Sequence, residues 1–223
     1  MFSKRVIEPE FLDHAPPEEA LKNLSDLVRI NEHFGGHGVI RKTLAQVVNG
    51  NSAFTLLDIG SASGDTAKLI AQLYPAASVT SLDLNPVNLS RAPHPKVLAD
   101  AFQLPFKPES FDYVFCSLFL HHFEDAFVSE LMGNFYRVAS RALIISDLER
   151  HILPYLFFPV TQPFLRWEPI TRHDGMISIR AAFHGCELRR LAENAGIRDV
   201  EVTVHRPAFR ISVVARKTGA SSK

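Results

Sequence analysis

Residues 56–65, LLDIGSASGD, run an apolar segment into an aspartate and then into a turn almost without side chains. Gly60 lets the backbone bend at a strand end without a Cβ clash, and the small side chains of Ser61, Ala62 and Ser63 let a ligand lie against main-chain amides. Gly64 and Asp65 then open a helix whose free N–H groups favour a carboxylate. The dinucleotide pattern G-x-G-x-x-G fails at its second and third glycines, where Ala62 and Asp65 stand, and Asp65 would oppose a pyrophosphate. No G-K-[ST] follows, which removes a triphosphate loop. These residues suit a nucleoside ligand without phosphates.

A second stretch with chemical potential is CSLFLHHFED, residues 116–125. Histidine titrates near neutral pH, so His121 or His122 could take the proton of a reacting hydroxyl. TRHDG, residues 171–175, sets His173 beside Asp174 on what reads as a turn, either as a salt-bridged pair or as a substrate contact. In INEHFGGHG, Asn31 and His33 are either a solvated helix end or groups that close over a ligand. Ten histidines raise the question of a metal. No pair has the i, i+4 helical placement of H-E-x-x-H, since Gly35 and Gly36 interrupt the helical run between His33 and His37, and adjacent His121 and His122 diverge if the chain is extended, so no metal is expected.

Strands and helices alternate around these residues. Residues 54–59, 78–83, 96–100, 111–119 and 141–147 read as strands, with helical periods over 65–74 and 125–139; Phe127, Val128, Leu131, Met132, Phe135 and Val138 share one face of the latter. This order predicts a parallel sheet covered on both faces. Residues 186–196 form a helix closed by Gly196, and 198–205 and 209–217 are strands with no helix between them, hence an antiparallel pair at the sheet edge. Residues 1–50 hold two N-terminal helices, the first with Ala20, Leu21, Leu24, Leu27 and Val28 on one face, the second ending at a turn, Asn49-Gly50. Residues 151–182 are too long for a simple connection and carry four prolines, which predicts a helical cap over the cleft; a helical pair that extends the core is the alternative. The tail 218–223 reads as disordered.

Composition narrows the function. At 223 residues with 46% hydrophobic content, the chain suits a single domain, 1–223. Lys plus Arg and Asp plus Glu balance at 24 each, so no overall field holds nucleic acid. Two distant cysteines and an N-terminus without an apolar core suggest a cytoplasmic protein. Residues 152–165, ILPYLFFPVTQPFL, are shorter than the roughly 20 residues of a membrane span, and are expected to lie on a bilayer surface or cover an apolar substrate rather than cross.

With these residues in view, the sequence resembles the class I S-adenosylmethionine-dependent methyltransferases. DIGSASG matches their first motif at Asp58, Gly60 and Gly64, and departs from it at Ala62. The resemblance runs from about residue 54 to 147. It implies a Rossmann-like, seven-stranded, mostly parallel sheet with an antiparallel C-terminal edge pair and helices on both faces. It also implies S-adenosylmethionine as cofactor, contacted by Asp58, Gly60, Ser61, Ala62, Gly64, Leu84 and Ser117. Asp83, at the end of SVTSLD, takes the place of the carboxylate that accepts hydrogen bonds from the ribose hydroxyls, and is also placed to cap the helix before Pro86. Asp100 and Ala101 in ADAFQLPF take the places that read adenine. LHHFED is similar to the segment of O-methyltransferases whose histidine is the general base, which implies His121, with His122 and His173 as lesser candidates. The likeness to quinone and polyketide methyltransferases implies a small-molecule acceptor, apolar or aromatic, methylated on oxygen or carbon. Arg189, Arg190 and Arg198 could instead form a basic patch for a protein or RNA substrate, a non-catalytic module could hold the cofactor as a ligand, and a dehydrogenase is the remaining alternative.

Overall fold

Runs of β-branched and aromatic residues fit the pleated strands of a sheet, and here they build one with seven strands. The computed structural model describes residues 2–48, 50 and 52–217. Its strands are β1 (Phe54–Ile59), β2 (Ala77–Asp83), β3 (Lys96–Leu98), β4 (Phe111–Ser117), β5 (Ala139–Leu148), β6 (Val200–His205) and β7 (Arg210–Arg216). Their order is β3-β2-β1-β4-β5-β7-β6, and β7 lies antiparallel to both of its neighbours. The order reverses between β1 and β4, which leaves a crevice beyond the carboxyl ends of those strands.

Eight α-helices are seen among the described residues: α1 (Pro17–His33), α2 (Gly36–Leu44), α3 (Asp65–Leu73), α4 (Pro86–Leu89), α5 (Asp125–Val138), α6 (Ile152–Leu165), α7 (Pro169–Ala181) and α8 (Gly185–Asn194). Neighbouring residues of one strand serve opposite faces. Leu57 of β1 packs with Val114, Leu143 and the α5 residues Leu131 and Phe135, whereas Leu56 packs with Phe115, Ile144 and the residues Ile40 and Ile70 of α2 and α3. Each such side chain, taken fully out of water, contributes about 1.5–3 kcal/mol.

Three elements differ from the sequence reading. Phe127, assigned to the buried face of α5, is half exposed and meets Phe102 edge-on. On α1, Leu21, Leu27 and Val28 are only half-buried, and Asn23 and Asp26 lie deeper. The reason is a polar seam: Asn23 Nδ2 donates to Thr171 Oγ1 at 3.2 Å, and Asp26 Oδ2 accepts the Glu168 N–H at 3.0 Å. Residues 171–175 are not a turn but part of α7. Pro169 starts that helix at its first position, and Gly175 lets it pass over the Phe158 ring, which a Cβ would approach to 2.3 Å.

Residues 151–182 thus form the pair α6 and α7, held by Phe158, Trp167 and Ile179 against Ile30 and Leu148. Helix α6 has no charged residue and leaves Leu153, Leu156, Val160 and Phe164 exposed. Among the described residues no helix is long and apolar enough to cross a membrane. Gly196, at φ 78°, follows the end of α8 in the left-handed conformation expected of a helix stop. Asn49 and the tail 218–223 lie outside the described residues.

Candidate active site

Where β1 ends, the chain turns through Gly60 at φ 66°, and a Cβ there would come within 2.5 Å of the Phe119 ring. Glycine meets both demands. Ala62 adopts φ 46°, a conformation that costs a residue with a Cβ about 1–2 kcal/mol. It is held there by its N–H, which donates to Asp83 Oδ2 at 2.9 Å, while the Ser61 N–H donates to the Leu82 carbonyl at 3.0 Å. The alanine that replaces the motif glycine therefore keeps a glycine-like backbone.

Asp83 ends β2 and also accepts the Asn85 N–H through Oδ1 at 2.9 Å. It does not cap α4: that role belongs to Asn85, whose side chain accepts from Val87 and Asn88. Burial raises the Asp83 pKa, an effect opposed by the amides of Asn85 and Ala62. Asp58 is enclosed, and burial, then the charges of Asp83 and Asp65, push its carboxyl well above the ordinary range. Ser81 stands opposite Asp58 across the β1–β2 ladder. Asp58 Oδ2, Ser61 Oγ and Ser81 Oγ are all buried without a hydrogen-bond partner in the protein. Each such atom costs about 1–3 kcal/mol, so this end of the sheet is built at the expense of stability and fits a polar ligand.

At the start of α3, Asp65 Oδ2 lies 2.8 Å from His37 Nε2 and 3.4 Å from Asn31 Nδ2. Asn31 Oδ1 in turn accepts from Arg210 Nη2 at 3.1 Å. Burial lowers the Arg210 pKa to about 10, against the opposing charge of Asp147. Asn31 thus meets the start of α3, whereas His33 points to solvent and His37 stands beside Asp65. Asp100 closes a turn, its Oδ1 accepting the Phe102 N–H at 2.9 Å, with Ala101 buried behind it. Leu84 is largely exposed, and Ser117 is half-buried at the end of β4, paired with Ser146.

Leu118, at φ 52°, redirects the chain after β4 into a short 3-10 turn, Leu120–His122. The two histidines therefore do not diverge as an extended chain would make them. Their rings stack with centroids 4.3 Å apart. His121 is buried, its Nδ1 2.6 Å from Asp147 Oδ1, and Asp147 also accepts the N–H groups of Leu120 and Leu148. Burial lowers the His121 pKa, but the charge and hydrogen bond of Asp147, with Glu10 beyond, outweigh it and hold the imidazole above its ordinary value. His122, about a third exposed, is pushed down to about 3 by burial and by the neighbouring His121.

The N-terminal segment closes this cluster from above. Arg5 donates to the carbonyls of His121 at 3.1 Å and Phe123 at 2.9 Å, and to Asp125 at 2.7 Å. Glu10 Oε1 lies 3.9 Å from His121 Nε2 and 3.8 Å from His122 Nδ1, and accepts a hydrogen bond from Ser178 Oγ of α7. Asp174 anchors the segment by accepting the N–H groups of Phe11 and Leu12, each at 2.9 Å. His173 makes the pair with Asp174, at 2.9 Å, and stacks on Phe11 at 3.7 Å, so its contacts are those of a clasp. Glu10, Asp147 and Ser178 went unseen in the sequence reading, and only Asp147, a lone acid at the end of an apolar strand, had any local signal. The basic patch is partly spent: Arg190 pairs with Asp125 and Arg189 bonds the Val200 carbonyl.

Residues 57–142 match the methyltransferase-domain family. No curated protein sequence matches the chain. Among solved structures, the chain is similar to a Nostoc punctiforme protein assigned as an O-methyltransferase, at 16% identity and TM-score 0.61, over 85% of this chain and 59% of that one. It is similar to human N-acetylserotonin methyltransferase, solved with S-adenosylmethionine, at 18% identity and TM-score 0.62, over 89% and 56%. The plantazolicin methyltransferase BpumL, solved with S-adenosylhomocysteine, superposes at TM-score 0.66 with 11% identity, over 89% of each chain. At these identities the likeness is one of fold, and the chain spans less than two thirds of the first two proteins.

Proposed function

We propose, from the match of residues 57–142 to the methyltransferase-domain family, that the chain is an S-adenosylmethionine-dependent enzyme that methylates an apolar or aromatic small molecule on oxygen or carbon. The observation that carries the cofactor reading is the trio of buried, unpartnered polar atoms on Asp58, Ser61 and Ser81 beside the turn at Gly60. S-adenosylmethionine supplies an electrophilic methyl group on sulfonium sulfur. Asp58, Gly60, Ser61, Ala62 and Gly64 hold it along the turn, Asp83 takes the ribose hydroxyls, Asp100 and Ala101 read the base, and Leu84 and Ser117 line the edges. Each Asp83 oxygen already accepts one backbone N–H and, as a carboxylate, has capacity for another donor.

The protein's part in such a displacement is chiefly alignment and exclusion of water. The uncharged helix α6 and the aromatic group of Phe34, Phe157 and Trp167 favour an apolar acceptor. Where that acceptor is a hydroxyl, its proton passes to His121, with Asp147 fixing the ring and stabilising the imidazolium. His122 is a weak base by virtue of its depressed pKa, and His173 serves the clasp with Phe11.

Calorimetry with S-adenosylhomocysteine tests the cofactor site, and methyl transfer from labelled S-adenosylmethionine into fractionated small molecules tests the activity. Binding without transfer to any fraction would leave a cofactor-binding module instead. With a hydroxyl acceptor in hand, His121→Gln is expected to lower turnover about 10²–10⁴-fold while cofactor affinity stays within twofold, roughly. Unchanged turnover removes the base assignment.

A further inference from the structure

We propose that Glu10, His121 and His122 form a binding site for one divalent transition-metal cation of the zinc class. Each offers one ligand atom, and the three atoms lie within 4.8 Å of one another. Two imidazole nitrogens and a carboxylate oxygen are a donor set of catalytic zinc sites, and they leave a coordination position for a further ligand. Bonds of about 2.1 Å in a tetrahedral arrangement put donors about 3.4 Å apart. The separations of 3.9 Å and 3.8 Å from Glu10 Oε1 would contract to this, and the His122 ring, stacked on His121 with 29° between the planes, would rotate to bring its lone pair onto the cation.

The groups behind the ligands point the same way. Asp147 sits on His121 Nδ1 at 2.6 Å, the position of a carboxylate that orients a ligating imidazole and directs its Nε2 lone pair outward, here toward Glu10. Ser178 Oγ bonds the Glu10 carboxylate from the side of α7. Glu10 and Asp147 together bring two negative charges to the cation, while the nearby Arg5 guanidinium is matched by Asp125. The donor set favours zinc over magnesium, which prefers oxygen ligands and retains its waters.

This inference does not rest on the cofactor reading. It alters the proposed reaction in one respect: in the loaded protein His121 Nε2 is a ligand and no longer the base, so a coordinated acceptor hydroxyl would lose its proton to water, the cation stabilising the oxyanion that remains.

The test uses the full chain with neither cofactor nor acceptor. Chelator-stripped protein is equilibrated with zinc sulfate or magnesium sulfate, passed through a desalting column and assayed for metal by mass spectrometry. The native chain is expected to retain about one zinc and no magnesium. Glu10→Gln and His122→Ala should retain none, Asp147→Asn should bind about 10–100-fold more weakly, and His33→Ala, on an exposed ring, should match the native chain. Circular dichroism checks that each variant is folded, and the near-isosteric Glu10→Gln decides should His122→Ala unfold. Equal zinc in the native protein and Glu10→Gln, or none in the native protein, overturns the site. Heat with S-adenosylhomocysteine, measured on the same preparation, tells that failure apart from failure of the cofactor reading.

Discussion

Two polar clusters at the carboxyl ends of the central strands are organised in opposite ways. At the Gly60 turn, Asp58, Ser61 and Ser81 each leave a buried polar atom without a partner. Around His121, a carboxylate, two backbone amides and the N-terminal segment meet one another through direct hydrogen bonds. The first arrangement is unfavourable until something else supplies the missing bonds; the second stabilises itself and fixes a ring in one orientation. Buried polar atoms left unpaired and a ring fixed by its neighbours are different signatures, and both stand at the carboxyl ends of the central strands.

That contrast can be broken most sharply at His121. His121→Ala strips the partner from a buried carboxylate at Asp147, and unfolding by urea should show a loss of about 3–5 kcal/mol. A loss below about 1 kcal/mol would mean that Asp147 finds another partner. Next in size, Gly60→Ala adds left-handed strain and an overlap with Phe119, together about 3 kcal/mol, read as a lowered Tm.

Asp58→Asn should act in the other direction, stabilising the ligand-free protein by about 1–3 kcal/mol at neutral pH. The folded chain holds the Asp58 proton at pH values where the unfolded chain, with an ordinary value of 3.8, has released it. The carboxyl therefore contributes its stability fully below 3.8, and that contribution is lost as pH rises through the folded-state pKa. The variant should flatten this decline in a series of denaturant melts, and weaken binding of S-adenosylhomocysteine at the same time; a parallel decline in both proteins would show that Asp58 is not its source. The smallest effect belongs to Ala62→Gly, which relieves about 1 kcal/mol of backbone strain and should raise the Tm slightly. If instead it lowers the Tm, the flexibility gained by the unfolded chain exceeds that relief.

The sheet was legible because each strand announces itself by β-branched and aromatic runs and each turn by small residues. The candidate site residues Gly60 and Asp83 were legible for the same reason, since each sits at a strand end. Asn85 directly before Pro86 is the stronger capping signal, because proline favours the first helical position and asparagine the place before it. The helical state of residues 171–175 was obscured by a glycine whose purpose, passage over Phe158, exists only in three dimensions. Stacking of His121 on His122 depends on a 3-10 turn that no periodicity marks, and Glu10 reaches them from more than a hundred positions away. His37 replaced His33 at Asp65 because α2 begins at Gly36 and carries the later ring inward.

Arg5, Glu10 and the amides of Phe11 and Leu12 weave the opening of the chain into the imidazole cluster and α7. Classification keyed to the central stretch, 57–142, is blind to that weave. Two chains with interchangeable centres can differ in whether an acid descends onto the paired rings, and trimming an apparently dispensable leader for crystallisation would convert one kind into the other.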